Sequence, residues 1–550
     1  MISDTFDYII VGAGSSGCVL ADRLSADGRC TVLLIEAGGR NETELVNMPR
    51  AFMKMFGNPA YFWHYPVQEQ DGRPAGEVWP YGRGLGGSSS TNGTWYMRGV
   101  AADYDTWPSP NGEWSWDQML RCFTEMESYR EPGADPRRGR DGPLQVTQLP
   151  FRSPAISAAI EAGEQMGLER LDDVNAPGKC GIGYTQATVN RRGRRASSYQ
   201  AFLKPAMWRP NLTVLTNTLA ERVELGAARA TGVWIRTAEG PRLVGARHEV
   251  ILSAGAIQSP RLLQLSGIGP AGVLAKAGVT LRHELPAVGE NLADHAMFSM
   301  AFRLLGDKGF NREFGGWRLL AHTVRYYLTR KGLMAYTSPE LTALLSMRSA
   351  PDWPDVQFGI GLFSLRSSEE IKTDPGRGAL HDEPGITVNG IALRPTSRGS
   401  VRIRSAAAED LPQVDARWWS DPDDMAFMVE MARLVRRYMD QPALRPFVGE
   451  EMTPGAALTS DEDLARSLQW LTSPGIHATG TCRMGSAGDS VVDSRLRVHD
   501  IRGLRVVDCS VMPLPPAGNT NGPAMALGWR AAELISEDRR AERVPQGVTR

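Results

Sequence analysis

The sequence contains no apolar run long enough to cross a bilayer, which excludes an integral membrane segment. Cysteine is scarce. The six residues at 18, 30, 122, 180, 482 and 509 show no C-x-x-C and no dense spacing, so reduced thiols in a reducing compartment fit better than a disulfide framework. The eight histidines form no H-E-x-x-H and no paired ligand spacing, and no metal site is expected. Charge of one sign is also missing: 61 basic against 62 acidic residues leave −1, so no global field draws in nucleic acid or an anionic membrane. The local basic run Arg191-Arg192-Gly193-Arg194-Arg195 reads as a solvated turn. A strand pattern opens by residue 6 and leaves no room for a signal peptide, so the expectation is a cytoplasmic protein. Internal repeats and low-complexity tracts do not occur.

What is present is an ordinary globular composition, 42% hydrophobic and 22% charged, spread over 550 residues, too many for one core. The most informative stretch runs from Asp7 to Glu36. An apolar strand (Tyr8, Ile9, Ile10, Val11) meets Gly12-Ala13-Gly14-Ser15-Ser16-Gly17, and a second strand, Thr31 to Ile35, ends at Glu36. This is a dinucleotide fingerprint in context. Gly12 allows the tight turn, Gly14 lets backbone N–H groups approach a pyrophosphate, and Gly17 permits close helix–strand packing. Glu36, at the carboxyl end of the second strand, is placed to accept from ribose hydroxyls and speaks against a 2′-phosphate. The pattern does not separate NAD from FAD.

Further buried-type strands lie far downstream, Glu249 to Ser253 and Leu504 to Asp508, so the nucleotide-binding domain is expected to be discontinuous. Residues 37–150 have weak periodicity and frequent Gly, Pro and Trp, which predicts long ordered loops. Ser153-Pro154 opens a helix with Ile156, Ala159, Ile160 and Met166 on one face. Asn211 to Leu225 and Ala230 to Arg236 read as strands, and Pro270 to Ala277 as a short helix stopped by Gly278. Beyond residue 300 the character changes. Strand-like runs at Val356 to Phe363 and Ser400 to Ile403 precede a helix from Asp421-Pro422 whose Met425, Met428, Ala432, Val435 and Met439 read as core. Another helix begins at Ser460, with Asp463 in capping position. The expected organisation is 1–300 dinucleotide-binding, 301–470 a second α+β domain, and 471–550 a segment returning to the first.

A second glycine-rich stretch, Tyr81 to Gly93, cannot be a regular helix or strand and suits a loop against a large planar ligand and its phosphates. Here the chain resembles the glucose–methanol–choline (GMC) flavoprotein oxidoreductases. Gly82 to Asn92 matches one signature of that family, and Ser253-Ala254-Gly255-Ala256-Ile257-Gln258-Ser259-Pro260 through Leu265-Ser266-Gly267-Ile268-Gly269 matches the other. Arg195-Ala196-Ser197-Ser198, Val288 to His295 and Ser397-Arg398-Gly399 extend the similarity along the chain.

The resemblance implies an α/β FAD-binding, Rossmann-like domain plus an α+β substrate domain built on an antiparallel sheet. It implies FAD contacts at Gly12, Gly14, Ser15, Ser16, Gly17, Glu36, Ala37, Arg83, Gly87, Asn92, Gly93 and Val223. Asp508, Asn519 and Thr520 would lie toward the cofactor's other end. Members with covalent flavin carry histidine where this chain has Thr91, so non-covalent FAD is expected. By the same analogy His477 is the base for an alcohol, a role suited to a group titrating near neutrality, and Asn519 holds the substrate oxygen. Many relatives have His-Pro where this chain has His477-Ala478, and several have a second histidine at Asn519. The helix after Asn519 would turn a positive N-terminus toward the flavin.

The implied reaction is FAD-dependent oxidation of an alcohol to an aldehyde or ketone, with O₂, a quinone or another carrier as electron acceptor. Pocket walls are expected from residues 330–365 and from loops near Trp63, Trp95 and Trp470, aromatics that point to a bulky or aryl alcohol. Thr91 and the lack of an evident cation cage speak against choline. Two alternatives stay open: a non-redox enzyme of the same fold, of the cyanohydrin lyase or photodecarboxylase type, and a non-catalytic dinucleotide-binding sensor.

Overall fold

The computed structural model describes residues 4–337, 339–366 and 380–543; Ser338 of the expected pocket wall, and the parts of the expected domains at 1–3, 367–379 and 544–550, lie outside the described residues. Two sheets organise the chain. The first has seven strands. Leu212–Leu215, Val32–Ile35, Thr5–Val11 and Gly240–Leu252 run parallel in that spatial order. The 13-residue strand Gly240–Leu252 then divides its pairing. Its first half pairs antiparallel with Arg229–Thr237, which in turn pairs with Ala220–Gly226, and its last residues pair parallel with Leu504–Val506. Ile9, Ile10, Val32, Leu33, Leu34, Ile251 and Leu252 are buried on both faces, as a parallel sheet covered by helices requires.

The expected strand Asn211 to Leu225 is two strands. Asn217 adopts φ 53° and donates its N–H to Gly38 O, which ends the parallel pairing on one side and starts the antiparallel pairing on the other. The residues expected as loops between 37 and 150 include the helix Trp116–Met126, which buries Met119, Cys122, Phe123 and Met126.

The fingerprint glycines act as their spacing suggests. Gly12 has φ +102°, and a Cβ there would lie 2.6 Å from Ser253 O, while one on Gly17 would lie 1.9 Å from Gly12 O. Only hydrogen fits at either place. Helix Ser15–Ser25 therefore sits directly on the sheet, and helix Asn521–Arg543 packs beside it, with Ser16 Oγ donating to Ala524 O at 2.8 Å.

The second sheet has eight strands in the order Val448–Thr453, Ala296–Leu304, Gly385–Ala392, Val356–Gly361, Leu341–Leu345, Ile182–Tyr184 and Arg170–Leu171, with Ser473–Pro474 also paired to Ala296–Leu304. All pairings are antiparallel except that of the two earliest segments. This sheet thus draws strands from 170–184 as well as from beyond residue 295. Helix Pro154–Gln165 has Ser153 as N-cap, accepting from Ile156 N, and helix Asp461–Leu471 is capped by Ser460 accepting from Asp463 N. Both join Pro422–Met439 in covering the second core, where Met428, Ala432, Val435 and Met439 of the expected stripe are buried and Met425 is half-buried at its edge.

A charged network lies inside the first core region. Glu127 is fully buried and accepts from Arg98, from Arg138 Nε at 2.6 Å and from Tyr96 OH at 2.9 Å, while Arg138 Nη1 reaches Asp173 at 2.6 Å. Burial raises the Glu127 pKa, but the two guanidiniums outweigh it and hold the carboxyl below its ordinary range. Glu127→Gln would leave the buried Arg98 without its anion and Arg138 with Asp173 alone, and should cost about 3–5 kcal/mol in denaturant unfolding of the cofactor-loaded protein. A change under about 1 kcal/mol would place the network at the level of a surface ion pair.

Candidate active site

One elongated cavity of about 440 Å³ runs along the carboxyl ends of the first sheet and into the gap between the two sheets. Gly12, Gly14, Ser15, Ser16, Glu36, Ala37, Gly87, Asn92, Gly93, His477, Asp508, Asn519 and Thr520 all line it, from segments up to five hundred residues apart. Gly17 lies behind the wall in its packing role. Two further expected contacts do not reach it either. Arg83 turns outward over the Trp63 ring at 4.6 Å and donates to Pro59 O and Ala37 O, bracing the loops instead. Val223 is buried in its strand, with its N–H on Ser266 Oγ at 2.8 Å, and Leu219 and Ala220 line the cavity in its place.

At one end the two glycine-rich loops touch: a Cβ on Gly87 would lie 2.8 Å from Gly14 Cα. Glu36 joins them. Its carboxylate accepts from Ala13 N at 2.9 Å, Gly38 N at 2.8 Å and Gly84 N at 3.0 Å. Helix Ser15–Ser25 has no side-chain cap and no acid in its first turn, so its leading N–H groups and positive dipole end are free for an anion. Helix Asn521–Arg543 likewise has no acid in its first turn, and Asn521 Nδ2 is buried without a partner. These features fit a dinucleotide: two helix N-termini and a backbone cleft that no side chain fills.

Asn92 helps hold the second loop, its Oδ1 accepting from Thr94 N at 3.0 Å and from Arg195 Nη1 at 2.7 Å. Arg195 is only 1% exposed and is not part of a solvated turn. It also donates to Val46 O and Ser89 O, and burial alone pulls it down to about 9. Asp508 accepts from Gly255 N, Ser259 Oγ and Ser510 N, capping the helix Gly255–Leu265; burial raises its pKa.

The other end of the cavity holds His477 and Asn519. His477 Nε2 lies 3.1 Å from Asn519 Nδ2, and His477 Nδ1 lies 3.0 Å from His295 Nδ1. Gln357 Nε2 reaches Asn519 Oδ1 at 3.5 Å, which sets the amide with its nitrogen toward the imidazole. Since that nitrogen can only donate, His477 Nε2 carries the lone pair and its ring proton sits on Nδ1, pointing to His295. Asp294 Oδ1 accepts from His477 N at 2.9 Å, and Tyr81 OH accepts from Ala478 N at 3.2 Å. Burial lowers His477 to about 4, lowers His295 well below the usual range, and pushes Asp294 up to about 8. His295, Asp294, Tyr81 and Gln357 were not assigned roles from sequence; His295 and Asp294 stand in the Val288 to His295 motif, but nothing in their spacing pairs them with residue 477.

Trp95, Met297, Ile391 and Pro474 line this end, the first three in one apolar cluster with Ala517. The expected wall from 330–365 is one layer back. Thr342 Oγ1 accepts from Trp95 Nε1 at 2.9 Å and Gln357 reaches Asn519, but among the described residues none of 330–365 lines the cavity. Trp63 and Trp95 do line it, whereas Trp470 is 56% exposed on the surface.

Comparison with known proteins adds a chemical frame. The chain matches the GMC oxidoreductase family over residues 6–297 and again over 395–528. It is 37% identical over 540 residues to an oxygen-dependent choline dehydrogenase of Photobacterium profundum, covering 97% of this chain and 93% of that protein. It is 35% identical over 537 residues to an alcohol dehydrogenase (acceptor) of Pseudomonas putida, covering 96% and 95%. Among solved structures it resembles pyridoxine 4-oxidase from Mesorbium loti, with TM-score 0.84, 29% identity and coverage of 97% and 99%. It also resembles an Aspergillus oryzae formate oxidase variant described for FAD modification, with TM-score 0.88, 25% identity and coverage of 98% and 99%. Thr91 is buried in the cavity wall, and His477 is the only histidine among the lining residues. Acid precipitation should therefore leave all the flavin in the supernatant; flavin absorbance retained on the washed pellet would show a covalent bond.

Proposed function

This chain belongs to the GMC oxidoreductase family, with FAD as its cofactor and CH–OH donors as its substrates, and on that premise we propose that it oxidises an uncharged alcohol with an apolar or aryl body. Bound FAD supplies the acceptor for the hydrogen that leaves the alcohol carbon. The chain's own part is to hold the oxygen and move its proton. Asn519 Nδ2 and His477 Nε2 face the same point of the cavity, so the alcohol oxygen can take the amide's hydrogen bond while its proton passes to the imidazole. His295 accepts from His477 Nδ1 and keeps the ring in the tautomer that presents a lone pair to substrate. As His477 gains a proton, the His295 lone pair remains against the new cation.

The observation that carries the substrate reading is the lining of the reactive end. Trp95, Met297, Ile391 and Pro474 offer apolar area, and among the described residues of the cavity wall the only carboxylates are Glu36 and Asp508. Both are already engaged by backbone amides at the nucleotide end. Asp294, behind His477, is pushed up to about 8 by burial, so among the described residues of the wall no carboxylate is left to pair with a quaternary ammonium, although several relatives are named for choline.

His477→Ala should lower kcat by about 10²–10⁴ while flavin content stays at one per chain. Flavin reduction by the best substrate at the unaltered rate would remove His477 from the role of base. Because the folded state holds His477 near 4, the free base survives as pH falls through 6.5 and is lost only on approach to 4, so the acid limb of kcat/KM lies below 6.5. A limb centred at or above 6.5 would assign it to a different group. In anaerobic bleaching of the flavin, aryl and medium-chain alcohols should outpace choline; faster bleaching by choline than by any neutral alcohol would overturn the substrate reading.

A further inference from the structure

The helix Gly316–Thr329 carries apolar side chains on two opposite sides. Leu319 and Tyr326 turn inward against Met48, Ala51 and Met334. On the other side Trp317, Leu320, Val324, Tyr327 and Leu328 stand 74%, 64%, 48%, 49% and 79% exposed. At helical spacing these five fall within an arc of about 100°, the width of a face that would ordinarily be buried. A run of large exposed apolar groups on one helix marks a contact surface rather than scattered surface residues.

The helix and the turn after it carry charge of one sign. Residues 316–332 include Arg318, Arg325, Arg330 and Lys331 and contain no Asp or Glu. Two acids beside it, Glu313 and Glu44, are engaged by Arg318 and His322 and by Arg194 and Arg330. The apolar surface also continues toward the cavity. The turn Pro49–Lys54 packs beside the helix, with the Arg50 guanidinium 4.6 Å from the Phe314 ring centre. Beyond it Met53 is 53% and Phe56 44% exposed, next to the exposed Lys54. Phe56 both faces solvent and lines the cavity, so it stands at the rim.

We propose that this face seats the protein on an anionic lipid surface. The helix lies in the plane of the interface, its aromatic and leucine side chains among the acyl–headgroup boundary and Arg325 and Lys331 on lipid phosphates. The cavity rim at Phe56 is thereby turned toward the bilayer. A second copy of the chain is the poorer occupant, because a twofold contact would bring the same cations face to face. No described helix is long and apolar enough to cross a membrane, so the association is peripheral. It rests on the surface alone and not on which alcohol is oxidised.

The test uses the flavin-loaded full-length protein, sedimented with phosphatidylcholine vesicles with and without about 30% phosphatidylglycerol. The protein should pellet with the anionic vesicles and detach as salt rises. Leu320→Glu combined with Leu328→Glu should weaken partition about a hundredfold, with flavin content and dye-linked turnover of a water-soluble alcohol unchanged. Three results would overturn the proposal. Wild type could stay in the supernatant with anionic vesicles, or the double variant could bind as tightly. Sedimentation velocity could instead show the variant splitting a dimer that has no affinity for vesicles.

Discussion

The cofactor face depends on one carboxylate. Glu36 ends the second strand and receives N–H groups from Ala13, Gly38 and Gly84, three segments that share no other sequence relation. A hydrogen bond to a charged acceptor contributes about 1.5–3 kcal/mol, and here three converge in a site that is 8% exposed. Asn41 adds to the same effect, its Nδ2 donating to Arg83 O and Leu85 O. The loops are thus shaped through backbone amides, which is why glycine dominates them. A side chain on Gly12, Gly17 or Gly87 would occupy space that another backbone already fills.

The reactive end is organised by a different constraint, the forced path of the chain before His477. Gly475 has no room for a Cβ, which would lie 2.8 Å from His477 Nδ1, and Ile476 holds φ 58°, a conformation that costs a β-branched residue of order 1–3 kcal/mol. Asp294 answers that cost by accepting the next N–H. The strand fragment Ser473–Pro474 belongs to the second sheet, and Leu504–Val506, a short way on, belongs to the first. His477 therefore stands where the two sheets meet, and its distance to Asn519 records how they are set against each other.

Much of this was legible in the chain. The strand–glycine–helix–strand order of residues 5–36 is a local pattern, and local patterns survive translation into structure. The same holds for the Ser153-Pro154 and Ser460 caps and for the methionine stripe of Pro422–Met439. What was missed depended on partners distant in sequence. Asn211 to Leu225 reads as one run because nothing in it reveals that its halves pair with different strands. Arg195 reads as solvent-facing because four of its five neighbouring positions are polar or glycine, whereas the fold encloses it against Val46, Ser89 and Asn92. Residues 330–365 were expected in the pocket wall and supply its backing instead. The helix Trp116–Met126 is a different kind of miss: Met119, Cys122, Phe123 and Met126 have ordinary helical spacing, hidden among the tryptophans and prolines of its surroundings.

The discontinuity of the first sheet has a consequence for the order in which the protein comes into being. Thr5–Val11 and Val32–Ile35 leave the ribosome early, but the strand Leu504–Val506 and the second helix N-terminus at Asn521 arrive last. A nascent chain therefore carries an unfinished, apolar sheet until Leu504–Val506 has emerged, and the cofactor groove closes only once Asn521 is also free to fold. A chain cut short before Leu504 is not a smaller enzyme but an open sheet edge available for aggregation.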